Sequence, residues 1–375
     1  MMKMNILIVS PNYPSKGNNT FTFVKQIVDE FSRMGHNCLV LSPYGYHPIK
    51  CILSHKTIIE KDGLVNIVRP SVMLLPLLFI YGFAYSQFLR KRSVLKEVYR
   101  LNFKPDIIYS HFWSSGYEVY EYAKAKNIPL FVATGESVIS NLFRPNPFKR
   151  NFINYVKGVI CVSSKNMNES IRLGLTVKEK CIVIPNAINN NIFHLTDAKV
   201  LKNKLGIKTN DFVIAFVGWF INRKGSKRVS DAIKKIGDNQ IKSIFIGKGV
   251  EEPDCPGILF KGTVGHDKIS EYLNCADVFV LPTLHEGCCN AIIEAMACGL
   301  PIISSNREFN FDILDNTNSI LIDPENIDEI ADAILQLKNN KVLYNNLKNG
   351  AINKAKELKI DIRANKIIDF IKSNI

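Results

Sequence analysis

The stretch VFVLPTLHEGCCNAIIEAMACGLPIIS, residues 278–304, contains the pattern that decides the fold. Its first four residues, 278–281, are apolar and predict a buried strand, and a polar loop at 282–290 follows. The apolar run 291–298 predicts a helix with Asn290 as its N-cap, ended in a left-handed turn by the glycine after it. The order strand, loop, helix and strand indicates a unit of a parallel, doubly wound sheet.

The same alternation runs along the whole chain. Continuous apolar runs predict strands that are covered on both faces. In the first half they lie at 5–9, 38–42, 106–110, 130–133, 159–162 and 182–184. In the second half they lie at 213–217, 243–246, 258–260, 278–281, 302–304 and 320–322. Helical patterns lie between the first-half strands at 20–34, 85–100, 117–126 and 165–173.

A polar, aperiodic segment at 185–197 separates the two series of strands and helices. We therefore expect an α/β protein with two doubly wound, Rossmann-like domains that face each other across a cleft. The predicted domains are residues 1–188 and 189–359, and a C-terminal helix at about 360–375 is expected to pack back on the first domain.

The composition is that of an ordinary globular protein. The chain has 375 residues, of which 46% are hydrophobic and 22% charged, and this excludes a disordered chain. Its nine cysteines form no CxxC pair, which favours reduced thiols in the cytosol over disulfides or a zinc site. The most apolar window, residues 72–85, is too short to cross a bilayer, and the N-terminus does not have the pattern of a signal peptide.

The positive charge lies almost entirely in the first half of the chain. Residues 1–190 contain 24 Lys and Arg against 11 Asp and Glu, whereas residues 191–375 contain 24 against 23. Basic clusters at 90–100 and 144–157 are accompanied by aromatic residues. Such a face suits an anionic membrane surface, an acidic acceptor or nucleic acid. The alternative is a lysine-rich surface that serves solubility alone.

Glu286 and Glu294 stand eight residues apart around the start of the predicted helix. With Glu286 in the loop and Glu294 just past the first turn, both can face the carboxyl edge of the sheet, where such folds bind ligands. The first N–H groups of a helix attract a phosphate, and carboxylates accept hydrogen bonds from hydroxyls such as those of a ribose. This combination suggests a nucleotide-sugar. Spacing alone also fits two ordinary surface glutamates.

In its motifs the sequence resembles the retaining glycosyltransferases of family 4, which have the GT-B fold. Around the two glutamates the resemblance rests on Glu286-Gly287, on the run Glu294-Ala295-Met296-Ala297 and on Gly299-Leu300-Pro301. Elsewhere it rests on Pro105-Asp106 with His111, Ile184-Pro185-Asn186, Gly218 followed by Lys224-Gly225, Gly247-x-Gly249 and residues 274–282. These pieces occur in the family's order over nearly the whole chain.

The resemblance implies roles for individual residues. Glu294 resembles the glutamate that holds the ribose hydroxyls, and Glu286 the one close to the transferred sugar and the diphosphate. Lys224 matches the lysine that neutralises the leaving diphosphate, and His111 the histidine that reaches the donor sugar. The further candidates are Gly218, Arg223, Gly287, Cys288, Cys289 and Asn290 for the donor, and Gly17, Asn18 and Asn19 for the acceptor. A structural histidine at 111 and a plain surface turn around Gly17 remain alternatives.

Several positions depart from the family's pattern, and in the first loop Gly17-Asn18-Asn19 stands in place of a double glycine. The arginine expected after Gly218 is Trp219, and Arg223 is the candidate to supply the missing charge. Ala187 replaces a glycine and Asn189 an aspartate. These departures concern the phosphate contacts, and they leave both glutamates and Lys224 in place.

The sequence therefore predicts transfer of a sugar from a UDP- or GDP-sugar to a glycan or lipid-linked acceptor, with retention of configuration. We expect no cofactor and no metal, because the chain has no Asp-x-Asp motif, and no nucleic-acid partner, because it has no recognition motif. Peripheral contact of the basic half with an anionic membrane is expected. Two alternatives are a nucleotide-sugar isomerase of similar architecture and a non-catalytic binding subunit.

Overall fold

The computed structural model describes residues 3–15, 20–46, 57–73, 82–139 and 147–375. The chain divides into two compact units. The first comprises Met1–Val162, Asn166–Ile184 and Arg363–Ile375, and the second Ser163–Lys165 and Pro185–Ile362. Gly17, Asn18 and Asn19, the acceptor-binding candidates, lie outside the described residues, as do residues 144–146 of the second basic cluster.

The first unit alternates strands and helices around one large sheet. Its strands are β1 (Asn5–Val9), β2 (Asn37–Leu41), β3 (Tyr44–Tyr46), β4 (Ile58–Asp62), β5 (Val65–Arg69), β6 (Ser71–Met73), β7 (Ile107–His111), β8 (Leu130–Thr134), β9 (Gly158–Cys161) and β10 (Cys181–Val183). Its helices are α1 (Thr22–Arg33), α2 (Gly82–Val98), α3 (Phe112–Lys126), α4 (Pro147–Tyr155) and α5 (Ser164–Arg172), of which α5 begins at the boundary with the second unit.

Eight of these strands form a sheet in the order β10-β9-β8-β7-β1-β2-β5-β4. All its pairings are parallel except that of β4 with β5. The β7, β8 and β9 strands are buried along their whole length, as expected of strands covered on both faces. Each large apolar side chain buried in this way contributes roughly 1.5–3 kcal/mol to stability.

The second unit repeats the same architecture with a smaller sheet. Its strands are β11 (Phe212–Val217), β12 (Ile241–Ile246), β13 (Ile258–Gly262), β14 (Val278–Leu281), β15 (Ile302–Ser305) and β16 (Ser319–Ile322). Its helices are α6 (Lys199–Lys204), α7 (Ser226–Ile236), α8 (Ile269–Leu273), α9 (Asn290–Ala297), α10 (Ile327–Asn339) and α11 (Lys341–Glu357). The last helix, α12 (Ile360–Lys372), has most of its length in the first unit.

The six strands of the second unit are all parallel, in the order β13-β12-β11-β14-β15-β16. From β11 the chain moves outward on one side through β12 to β13, and then returns to place β14 on the other side of β11. The loops after β11 and β14 therefore leave the sheet in opposite directions. Such a switch point opens a crevice at the carboxyl ends of the two strands.

All twelve strands predicted from apolar runs are present. Four strands of the first unit, β3 to β6, were not predicted, and of these β4 faces solvent over most of its length and so has no apolar run. A turn signal was available in the sequence at Asp62-Gly63, because Asp-Gly between strands is typical of tight hairpins. Gly63 has φ +57° in the two-residue loop between β4 and β5, which only glycine adopts at little cost.

Helix α3 begins at Phe112, five residues before the predicted start at Tyr117. The carboxylate of Glu136, which follows β8, accepts the backbone N–H of Trp113 at 3.2 Å. A side chain distant in sequence thus satisfies one of the N–H groups that the first turn of a helix leaves without an intrahelical partner. No local pattern in residues 112–116 predicts this contact.

Candidate functional site

The loops that follow β11 and β14 meet at the switch point of the second unit. The first loop contains Gly218, Arg223 and Lys224, and the second contains Glu286. Strands β11 and β14 are paired through Ile214 with Val278 and Ala215 with Phe279, so their carboxyl ends lie side by side. The sheet therefore brings together residues more than sixty positions apart in sequence.

A single oxygen of Glu286 receives three donors. Its Oε1 lies 2.5 Å from Lys224 Nζ, 2.8 Å from Arg223 Nη1 and 2.9 Å from Thr283 Oγ1. The side chains of Lys224 and Glu286 are each 12% exposed. Burial favours the neutral amine, but the Cys289 sulfur and the Glu286 carboxylate raise the pKa of Lys224, which is therefore an ammonium at neutral pH. Two cations on one carboxylate leave a net positive charge, which suits an anion.

The two loops are held together by backbone contacts as well. The carbonyl of Arg223 accepts the N–H of Leu284 at 2.8 Å, and Oγ1 of Thr283, which donates to Glu286, lies 3.1 Å from the same carbonyl oxygen. Gly225 has φ +82°, and a Cβ there would lie 2.8 Å from the carbonyl oxygen of Pro282. Only glycine fits this approach. These backbone contacts between the two loops fix the positions of Arg223 and Lys224.

Glu294 lies in the second turn of α9, and it is 7% exposed. Its Oε1 is 2.9 Å from Nε2 of His266, a residue in the loop after β13. Burial acts to lower the pKa of His266, but the hydrogen bond and the charge of Glu294 together raise it above its ordinary value. The imidazole therefore gains positive charge more readily than an exposed histidine, and it orients the carboxylate.

The predicted N-cap at Asn290 is wrong. Asn290 is the first residue of α9, and Cys289 occupies the cap position in an extended conformation. The Oδ1 of Asn290 instead accepts a hydrogen bond from Nδ2 of Asn186 at 2.8 Å, and the same Nδ2 reaches the carbonyl oxygen of Cys288 at 3.1 Å. The Asn290 side chain is thus directed to Asn186, and no side-chain hydrogen bond caps the start of α9. The predicted left-handed turn after the helix is confirmed, because Gly299 has φ +79°.

The other donor-site candidates surround Lys224. Cys289 is buried, and its sulfur lies 3.9 Å from Lys224 Nζ. Burial raises the pKa of the Cys289 thiol, although Lys224 opposes this effect. Gly287 is buried in the same loop, and a Cβ at Gly218 would lie 3.5 Å from Cδ of Lys224.

A second glycine-rich loop, after β12, approaches the first one closely. A Cβ at Gly247 would lie 1.9 Å from the carbonyl oxygen of Gly218, and one at Gly249 would lie 2.2 Å from that of Phe220. Any larger residue would force the loops apart, so the Gly-x-Gly motif serves close packing here. Trp219 lies between these contacts with 56% of its surface exposed.

His111, in the first unit, is the last residue of β7 and is only 3% exposed. Burial, aided by the charge of Arg363, lowers its pKa to about 3, so the ring is neutral. Among the described residues its Nε2 has no hydrogen-bond partner. Phe112, the next residue, has φ +71°, a conformation that costs a non-glycine residue about 1–3 kcal/mol and clusters at functional sites.

Several polar residues at these sites were not singled out from sequence. Thr283 and His266 contact the two glutamates directly, and Glu136 caps α3 beside His111. Thr283 had a usable signal, since it lies in the same loop as Glu286 and three residues before it. His266 had a weaker one, its place just after a predicted strand. Among the described residues, no group of three or more His, Cys, Asp or Glu is arranged to hold a metal ion.

The two histidines should titrate very differently. We expect the pKa of His266 to lie above about 6.5 and to fall below it in Glu294→Gln, because burial then dominates. His111 should show no titration between about pH 5 and 8. NMR of the imidazole C–H signals measures both, with Glu271→Gln as the control. A His266 pKa that is unchanged in Glu294→Gln would contradict the pairing.

The raised pKa of His266 also makes the stability of the folded protein depend on pH. Because the folded-state pKa of His266 is raised, its contribution to stability is fully present below about pH 6.5 and is lost as the pH rises through the raised value. Replacing Glu294 should remove this part of the pH dependence.

Comparison with known proteins identifies the chain. Residues 211–340 match the model for glycosyl transferases group 1, and residues 21–191 match the model for Glycosyltransferase Family 4. A putative teichuronic acid biosynthesis glycosyltransferase of Bacillus subtilis is 25% identical over 362 residues and 90% of both chains. The Escherichia coli UDP-Gal:alpha-D-GlcNAc-diphosphoundecaprenol alpha-1,3-galactosyltransferase is 31% identical over 238 residues, 56% of this chain and 61% of its own.

Solved structures show the same fold at low sequence identity. Sucrose-phosphate synthase from Thermosynechococcus elongatus is 16% identical, with a TM-score of 0.75 over 99% of both chains. An Anabaena protein solved in complex with UDP and glucose is 18% identical, with a TM-score of 0.73 over 99% of this chain and 100% of its own. The match to transferases favours that activity over an isomerase. The chain belongs to the glycosyltransferases of family 4, and it has their GT-B fold of two Rossmann-like domains.

Proposed function

We propose that this glycosyltransferase moves a sugar from a nucleoside-diphosphate sugar to a hydroxyl of a glycan or lipid-linked acceptor, with retention, in the biosynthesis of a surface polysaccharide. The observation that supports it best is the buried group at the switch point, where Lys224 and Arg223 converge on Glu286. Its excess positive charge complements a diphosphate. Glu294, held by His266, is a hydrogen-bond acceptor for hydroxyls close to that group.

In this proposal each residue has one task. Glu294 accepts hydrogen bonds from the ribose hydroxyls, and the first turn of α9, around Cys289 and Asn290, offers backbone N–H groups to the phosphates. Lys224 and Arg223 neutralise the diphosphate, so that Arg223 supplies the charge that Trp219 does not. Gly218, Gly287 and Cys288 complete the donor site with backbone and small side chains.

The chemistry needs no nucleophile from the protein. The bond between the sugar C1 and the diphosphate oxygen breaks, while the acceptor oxygen bonds to C1 on the same face. The acceptor's proton passes to an oxygen of the leaving diphosphate. Lys224 stabilises the negative charge that develops there, which is the kind of preorganised electrostatic contribution that lowers barriers most. His111, kept neutral by burial, is proposed to hydrogen-bond the donor sugar through its Nε2.

The names of the relatives support the choice of substrates. The Escherichia coli relative is named for UDP-Gal and a diphosphoundecaprenol-linked acceptor, and the Bacillus subtilis relative for teichuronic acid biosynthesis. We therefore propose a UDP-sugar as donor and a lipid-linked glycan as acceptor. Fixed cations and a helix start can carry the diphosphate charge without a metal ion.

The positive charge of the first unit supports a cytoplasmic enzyme that binds peripherally to the membrane surface. On α2 the exposed residues Phe88, Arg92 and Lys96 follow one another at four-residue steps, and so share one face. Their neighbours Arg90 and Lys91 instead pair with Glu118 at 2.9 Å and Glu121 at 2.6 Å of α3. No helix in the described part of the chain is long and apolar enough to span a bilayer.

Nucleotide binding tests the donor site. We expect Glu294→Ala to weaken binding of the preferred nucleotide by roughly 1.5–3 kcal/mol, the range for hydrogen bonds to a charged group. Isothermal titration with UDP, GDP, CDP and ADP, in EDTA and then with magnesium, measures it. Glu357→Ala, which removes an exposed carboxylate on α11, is the matched control. Equal affinity in wild type and Glu294→Ala would remove Glu294 from the site.

Steady-state kinetics test the role of Lys224. Lys224→Ala should lower kcat by about 10²–10³-fold and change donor affinity less, because the charge that Lys224 meets grows in the transition state. Lys227→Ala, an exposed lysine of α7 paired with Asp231, is the control. A larger loss in affinity than in kcat would argue against the leaving-group role. An inverted anomeric centre in the product, read by NMR, would overturn retention.

Vesicle binding tests the membrane contact. Reversing two charges with Arg92→Glu and Lys96→Glu should weaken co-sedimentation with phosphatidylserine vesicles by roughly thirtyfold, at about 1 kcal/mol per basic residue. Lys227→Glu with Lys234→Glu on α7 changes the net charge equally and is expected to bind like wild type. If both double variants lose binding to the same extent, total charge and not the α2 face is responsible.

A further inference from the structure

Trp219 is an exposed indole at the carboxyl edge of the second sheet. It is 56% exposed, whereas the other tryptophan of the chain, Trp113, is completely buried in the first unit. A tryptophan is highly buried on average, and its large ring is among the costliest surfaces to leave in water. Nothing in the proposed roles above uses this side chain.

The backbone around Trp219 is fixed on both sides. The N–H of Phe220 donates to the carbonyl of Lys248 at 2.8 Å, and the carbonyl of Phe220 accepts the N–H of Glu251 at 2.8 Å. Phe220 itself is 2% exposed, and it anchors the loop in the core. Gly247 and Gly249 permit this close contact, as described above. The indole is therefore presented to solvent from a rigid support.

The surroundings of the ring place Trp219 beside the proposed diphosphate contacts. The side chain of Lys224 packs over Gly218, the residue before Trp219, and its ammonium group holds Glu286. The proposed ribose contact, Glu294, is paired instead with His266, in the loop after the outermost strand β13. Trp219 therefore lies next to the proposed diphosphate contacts, in a loop that packs on the loop after β12.

The charge and polarity of the ring's neighbours favour a sugar over a lipid. The Nζ of Lys248 lies 5.6 Å from the ring centroid of Trp219, a cation–π distance. Asn222 is exposed in the same loop, and Val250 is the exposed apolar neighbour in the next one. One indole and one valine among polar groups do not make the apolar patch that a membrane or protein partner requires. A pyranose matches this mixture, because it has an apolar C–H face and a polar rim.

We infer that Trp219 is a stacking platform for a pyranose ring, a specificity element next to the diphosphate site. The C–H groups of the sugar lie against the electron-rich face of the indole, and Lys248 holds the ring in place. The inference rests on the proposed function, since it needs a sugar substrate at this edge. The pyranose belongs either to the donor or to the acceptor, and these two sources can be separated.

Intrinsic fluorescence reads this side chain directly. Subtracting the spectrum of Trp219→Phe from that of wild type isolates the Trp219 signal, because Trp113 is common to both. The probes are UDP, GDP, UDP-glucose, UDP-galactose, UDP-N-acetylglucosamine, GDP-mannose and a water-soluble short-chain analogue of lipid diphosphate-linked GlcNAc. A signal with a nucleotide-sugar but not with its free nucleotide assigns the donor sugar. A signal with the acceptor analogue alone assigns the acceptor sugar.

Kinetics provide a second readout. Trp219→Ala should raise the KM for the assigned pyranose substrate about tenfold and leave the Kd of the free nucleotide unchanged, whereas Trp219→Phe keeps a ring and should stay within about threefold. A purely structural role would not separate these two variants or spare nucleotide binding. An unfolded Trp219→Ala would leave Trp219→Phe and the wild-type fluorescence to decide.

Four outcomes would overturn the inference. An equal signal with the free nucleotide would indicate base stacking, and a blue shift with phosphatidylserine vesicles would indicate membrane insertion. The third outcome is no signal from any sugar probe although calorimetry shows nucleotide binding. The fourth is an unchanged KM in Trp219→Ala. Each of these leaves the proposed function standing. Absence of nucleotide binding in the wild type would remove the proposed function, and the platform with it.

Discussion

The second unit of this glycosyltransferase depends on the Glu286 carboxylate, which ties the loop after β11 to the loop after β14. A carboxylate that is mostly removed from water is costly unless opposite charges accompany it, and removing one partner of a buried ion pair typically destabilises strongly. Lys224 and Arg223 provide those charges, and Thr283 adds a neutral donor to the same oxygen. Since one negative charge faces two positive ones, the group has an excess positive charge, which attracts an anion.

In the proposed function, the contacts of Lys224 and Arg223 with Glu286 stabilise the two loops and also place the cations for the leaving diphosphate. Cations that are already aligned need little reorganisation when negative charge develops on a leaving group. Their alignment depends on close backbone packing, which Gly225 and Gly247 permit because no side chain would fit. The rigid loops also fix Trp219 at the edge of the site. A position where the family usually has a cation here presents an aromatic surface, and the proposed function assigns that cation's role to Arg223.

The first unit buries a neutral titratable residue, His111, whereas the second unit buries a group of charged side chains around Glu286. His111 is buried and neutral, and the residue after it, Phe112, has a strained backbone conformation. Strain of this kind persists where the surrounding structure enforces it, often next to a functional group. On the surface of the same unit, Arg90 and Lys91 of the basic cluster form ion pairs with α3, whereas Arg92 and Lys96 are exposed.

The sequence by itself determined the parallel core strands of both sheets, because apolar runs and helix signals are local and strands buried on both faces leave a strong pattern. It also identified Glu286, Glu294 and Lys224 as candidates through their motifs. Only the tertiary structure decided which groups meet them, such as His266 on Glu294, since hydrogen-bond partners distant in sequence have no local signature. The same cause explains the errors at Asn290, whose side chain is taken by Asn186, and at the start of α3, which a carboxylate from another loop extends.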